Sequence, residues 1–173
     1  MKHPILILLS VLFANGAIAQ TPAALNSREA MQKLRLWPGH WTGSSVWSMR
    51  GKEERSTVEE TVAWKVDGHA LLVNGLGKDA EGQIVHEALA VLSYNSFESK
   101  YHLNSWLRDG RSTDAWFKIV GENQFQWGFD TPQGKIRYSI TLTEKTWKET
   151  GEFSSDGTQW YPFLTMDLTK ATD

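Results

Sequence analysis

From Gly51 onward, turn-forming residues recur about every ten positions, and this punctuation limits the chain to short strands. The breaks fall at Gly51, Asp67-Gly68, Asp79 to Gly82, Asn95-Ser96, Asp109-Gly110, Gly121 to Asn123, Pro132 to Gly134, Glu144-Lys145 and Asp156-Gly157. They separate ten candidate strands, at about 39–50, 56–66, 69–78, 84–94, 98–108, 111–120, 123–130, 135–143, 146–154 and 158–168. None of the connections is long enough for a parallel crossover, so each strand must pair antiparallel with the next. A twisted meander of ten strands is expected to close on itself. The sequence therefore predicts an all-β fold: a ten-stranded antiparallel up-and-down barrel over 39–168, with a short tail at 169–173. A barrel of this size is wide enough to enclose a ligand.

The first of these strands, Gly39 to Arg50, sets Trp41, Trp47 and Met49 on one parity with Gly43 and Ser45 between them, which predicts one buried face. Nine tryptophans are many for a chain of 173 residues. At roughly 150 to 250 Å² each and roughly 25 cal/mol/Å², burial stabilises by a gross ~4 to 6 kcal/mol apiece. That suits a core built without disulfides, and the chain has no cysteine. Ahead of the strands, 20–38 forms an N-terminal segment. Leu25, Met31, Leu34 and Leu36, a cap at Asn26 or Ser27 and Glu29 in the first turn predict one short helix within 22–37, ended by Pro38.

Residues 1–19 have the form of a cleaved secretory signal: Lys2 and His3, an apolar run from Ile5 to Phe13, and Ala17-Ile18-Ala19 before Gln20. The run is too short for a membrane anchor, and without cysteine there is no lipid attachment site. The expectation is an exported protein, periplasmic or secreted. Removing the leader takes Lys2 and no acid from 18 basic and 20 acidic residues, leaving a net charge near −3. The basic residues are scattered, so nothing points to a nucleic-acid partner.

The Gly39-x-Trp41-x-Gly43 opening, the short helix before it, the Asp67-Gly68 turn and the run from Trp147-x-Glu149 to Asp156-Gly157-x-x-Trp160 resemble the calycin group. Within that group the chain is most similar to secreted bacterial domains of unknown function with a nitrobindin-like or fatty-acid-binding-protein-like barrel. The likeness spans about 37–168 and implies an interior site for a small hydrophobic or amphipathic molecule. The chain departs from these families in specific places. Gly51 to Arg55 leaves room only for a loop where fatty-acid-binding barrels carry a helical lid. Lipocalins have eight strands and a C-terminal helix. No histidine follows His102, so the late haem-ligating histidine of nitrobindins has no counterpart.

Candidate ligand-binding residues follow from strand parity. Glu60 shares a face with Val58, Val62, Trp64 and Val66, and a carboxylate there must be paired, protonated or used. The fifth strand alternates His102, Asn104, Trp106 and Arg108 against Tyr101, Leu103, Ser105 and Leu107. If the Trp106 face points inward, Arg108 could hold a ligand carboxylate as the interior arginine of fatty-acid-binding barrels does. In the ninth strand Glu149 lies between Trp147 and Phe153, with Gly151 leaving space among aromatics. Trp127 and Tyr138 extend the aromatic wall, and Trp41, Trp47 and Trp64 complete the candidate lining.

Other chemistries find little support. His40, His69, His86 and His102 match no metal-ligand spacing, no glycine run opens a helix to cradle phosphate, and no nucleophile motif is present. No cofactor is therefore expected. Three rivals to a ligand carrier stay open: an enzyme using Glu60, Glu149 or His102 as acid or base, a haem barrel with an atypical ligand at His102 or Tyr138, and a barrel filled by its own side chains.

Overall fold

The computed structural model describes residues 26–49 and 51–172. They form one short helix, α1 (Ser27–Gln32), and ten strands: β1 (Gly39–Met49), β2 (Lys52–Lys65), β3 (Ala70–Lys78), β4 (Ile84–Asn95), β5 (Lys100–Leu107), β6 (Ser112–Gly121), β7 (Gln124–Thr131), β8 (Gly134–Leu142), β9 (Thr146–Ser154) and β10 (Tyr161–Lys170). Each strand pairs antiparallel with its sequence neighbour, and β1 pairs with β10 to close the barrel. The expected ten-stranded antiparallel barrel with one short helix is the fold that forms. The leader-like segment 1–19 lies outside the described residues.

The closure seam explains the Gly-x-Trp-x-Gly opening. Gly43 lies opposite Leu168, and a Cβ there would run into the Asp167 carbonyl and the Leu168 backbone, so the two strands approach closely only because the side chain is absent. The helix is shorter than expected. Asn26 caps it in a reciprocal box with Glu29. After Gln32 the chain continues in i→i+3 bonds from Lys33, Leu34, Arg35 and Trp37 rather than as α-helix. This tighter path turns Met31, Leu34 and Trp37 into the end of the barrel, where all three are buried.

Two polar ties hold that helix in place. The Tyr101 hydroxyl donates to the Ala30 carbonyl at 2.7 Å, and Arg28 pairs with Asp67 in the β2–β3 turn. Burial pushes the Tyr101 hydroxyl up to about 12, with Tyr94 adding to the shift. At the opposite end no described helix covers the barrel. The β9–β10 turn there is held by Asp156, whose carboxylate accepts from the Thr158 and Gln159 amides and is thereby kept well below the usual range.

Candidate functional site

The barrel is sealed at the helix end by aromatic rings. Trp37 meets Phe117, Phe125 and Trp147 edge-on at centroid distances of 5.9, 5.4 and 4.9 Å, and Trp41 meets Trp147 at 5.9 Å. The Trp41 indole donates to the Trp37 carbonyl, while the Trp37 indole nitrogen is buried with no hydrogen-bond partner among the described residues. Beneath this floor Lys170 lies 4.8 Å from the centre of the Trp41 ring and reaches the Leu36 carbonyl.

Above the floor the two sides of the barrel differ in bulk. On β7, β8 and β10 the inward face carries Trp127 stacked on Tyr138 at 4.0 Å, with Phe129 and Phe163 beside them. On β3, β4 and β5 the inward positions Gly75, Ala88, Ala90 and Ser105 are small. Pairing sets Trp41, Glu60, Gly75, Ala88 and Leu107 in one row across five strands. Glu60, Ala88, Ala90, Ser105, Trp127 and Tyr138 all face inward yet keep accessible surface. Inward side chains that water can still reach line open space.

Two carboxylates share this chamber. Glu149 is only 7% exposed and accepts from Trp127 Nε1 at 3.0 Å and from Trp147 Nε1 at 3.1 Å, one indole on each oxygen. Burial pushes its carboxyl up to about 7, a rise that the two indole bonds hold in check. Glu60 has no hydrogen-bond partner among the described residues. Its carboxylate lies over Gly75, where a Cβ would come within 2.6 Å of Oε1. Burial pushes this carboxyl up to about 8, and the charge of Glu149 adds to the effect. Tyr138 is raised in the same way, first by burial and then by Glu149.

The far end holds a Ser45–Ser56 hydroxyl pair at 2.8 Å, with Gly77 and His86 beside it. His86 is inward and part of a hollow with Leu107, Arg108 and Arg111. Burial, then the Arg111 charge, lower its imidazole below the ordinary value, so it is neutral at pH 7.

The expected lining residues divide into three groups. Glu60, Trp127, Tyr138 and Glu149 surround the chamber. Trp41, Trp64 and Trp147 belong to or pack against the closed-end core, and Trp47 lies at the far end on Phe163 at 4.7 Å. Gly151 does not leave a vacancy, because Phe163 and Tyr138 fill the space above it.

The reading of β5 with Trp106 inward is corrected. Tyr101, Leu103, Ser105 and Leu107 face in, whereas His102, Asn104, Trp106 and Arg108 are on the outer side. There His102 bonds Glu98, Asn104 bonds Asp114, and Arg108 lies 3.9 Å from Glu87. Trp106 is 46% exposed and lies opposite Leu89, another outward apolar side chain. Arg108 thus cannot clamp an interior carboxylate. His102 can neither ligate an interior haem nor act as an interior base. Glu149 is held by two indoles rather than by an arginine or lysine.

The sequence did not assign Gly75, Ala88, Ala90, Ser105 or His86 to the lining. Their signal was the run of small residues at alternating positions, Gly75-x-Gly77 and Ala88-x-Ala90, which opens space where a packed strand would carry Val or Leu.

No known family model matches the chain, and no curated protein matches it. Solved structures do. Rv2717c from M. tuberculosis aligns at TM-score 0.63 and 13% identity, covering 85% of this chain and all of that one. A protein of unknown function from the DUF3598 family of Nostoc punctiforme aligns at TM-score 0.54 and 10% identity, over 88% of this chain. There the match spans 53% of the other protein, about half its length. The barrel fold is shared with both. Lobster apocrustacyanin A1 aligns only at TM-score 0.37, with 11% identity over 87% of this chain and 72% of that one.

Proposed function

We propose that the protein is an exported carrier that holds a small hydrophobic or amphipathic molecule inside the barrel. The observation carrying this reading is the accessible surface kept by inward-facing Glu60, Ala88, Ala90, Trp127 and Tyr138, opposite a wall of small residues. A barrel filled by its own side chains would bury these positions as it does Phe125 and Leu142. The aromatic wall supplies apolar contact, and the two carboxylates supply the few polar groups that fix orientation in such sites. Export rests on the signal-like 1–19 segment. Native mass spectrometry on protein purified without refolding tests the proposal. The expected result is a reproducible extra mass, or uptake of an added neutral apolar probe such as N-phenyl-1-naphthylamine displaceable by octanol. No bound mass and no probe uptake would count against it.

A second reading has one observation behind it. Two interacting carboxyls, pushed to about 7 and about 8, are poised for proton transfer near neutral pH. Turnover of a bound compound that is lost in Glu60→Gln while binding persists would make the barrel an enzyme.

A further inference from the structure

Resting on the interior-binding reading, we infer that the occupant carries a protonated amine, and that its ammonium head sits between Glu60 and Glu149 with its apolar tail along Trp127 and Tyr138.

The charge inventory of the chamber carries this inference. The inward positions of the described strands hold no lysine or arginine between Lys52, at the far rim of β2, and Lys170, beneath the floor. The titratable groups facing Glu60 and Glu149 are therefore few. They are each other, Tyr138 from β8 and, toward the far rim, His86 from β4 with the exposed Arg111 beside it, and Glu54 from β2 opposite Trp47. Tyr101 from β5 is turned to the helix, bonded to Ala30. Among the described residues, two acids thus face one chamber with no inward lysine or arginine beside them, so ionising both there is costly.

Glu60 adds an independent sign. Its carboxylate is inward with no donor among the described residues, and it rests over Gly75, where no side chain intervenes. Glu149, by contrast, has each oxygen fixed by an indole N–H. One carboxylate is held in place and the other is left with its lone pairs free. An ammonium brings three N–H donors and one positive charge, which is what this pair lacks. An anionic amphipath meets the reverse situation: the outward Arg108 offers no counter-charge, and the ionised Glu149 repels it.

Linkage follows. A bound cation favours the ionised carboxylates, so uptake near pH 7 should expel about one proton, and affinity should rise with pH until Glu60 is ionised without help, near pH 8.

The test is calorimetric titration of the mature protein at pH 7.5 with three probes of equal chain length: octylammonium, octanol and octanoate. Octylammonium should bind about tenfold or more tighter than octanol, and octanoate weakest. Proton release should appear when the titration is repeated in buffers of different ionisation enthalpy. Glu60→Gln should weaken octylammonium about tenfold and octanol far less, so that the preference for the cation over the alcohol collapses. Because Glu60 has no hydrogen-bond partner among the described residues, this variant should keep the parent's thermal transition at pH 5. Glu149→Gln, checked by indole fluorescence for intact floor packing, should act in the same direction. Octanoate binding as tightly as octylammonium, or octylammonium indifferent to Glu60→Gln, would overturn the cation inference and leave the carrier reading standing. Failure of all three probes would instead remove the carrier reading and the inference together.

Discussion

The closed end and the chamber above it are built from the same strands but obey opposite rules. At the closed end every large ring has a neighbour: Trp37, Trp41, Phe117, Phe125 and Trp147 interlock, and Trp41 is wholly buried. In the row that runs from Trp41 into the chamber, Glu60 is inward, without a hydrogen-bond partner among the described residues and still reachable by water, beside Gly75, Ala88 and Ala90. The difference teaches where stability and function separate in this barrel. The floor supplies the packing, which lets the chamber tolerate two acids that a packed core would reject.

The largest effect should come from breaking the floor. Trp41→Ala removes a buried indole and its bond to Trp37, and should cost about 3 to 5 kcal/mol in chemical denaturation. An equal loss from an alanine at chamber-facing Tyr138 would erase the contrast between the two regions.

Next comes pH. The Glu60 carboxyl is raised by folding from an ordinary 4.5 to about 8. The folded state therefore binds the extra proton over that window, and stability falls as pH rises from about 5 to about 8. Glu60→Gln should flatten this slope. It should make the ligand-free protein more stable at pH 8 by about 1 to 3 kcal/mol, discounted for water in the chamber, with little change at pH 5. Thermal melts across that range check it. A slope unchanged in the variant would mean that Glu60 is not the titrating group.

A smaller effect is expected from Gly75→Ala. The new methyl displaces the Glu60 carboxylate into the chamber, at about 1 kcal/mol of stability and a several-fold loss of octylammonium affinity. The smallest is expected outside. Arg108→Ala touches only a surface pair with Glu87 and should change stability by no more than about 0.5 kcal/mol and interior binding not at all.

Strand number and closure were legible because turn chemistry is local: each Gly, Asn or Asp break marks a connection whatever the barrel encloses. The face of β5 was not. His102, Asn104, Trp106 and Arg108 look like a binding row. Trp106 nonetheless faces out because its register neighbour Leu89 gives it an apolar partner there, and Ser105 faces in because the chamber is open. In a closed core a serine and a tryptophan at adjacent positions would assign themselves. In a hollow barrel small or polar inward residues are allowed, and the usual rule loses its force. Glu60 and Glu149 could be picked out because a carboxylate on an apolar face is conspicuous, but the indole partners of Glu149 required the fold: Trp127 lies 22 residues away.

The most direct measurement is a carbon-13 NMR titration of the glutamate carboxyls in the ligand-free protein, with Glu60→Gln and Glu149→Gln spectra for assignment. Two carboxyls should titrate far above the rest, near pH 7 and pH 8, and both should move to lower pH when octylammonium is added. If every glutamate titrates between about pH 4 and 5, as in water, then the chamber does not hold two unpaired acids.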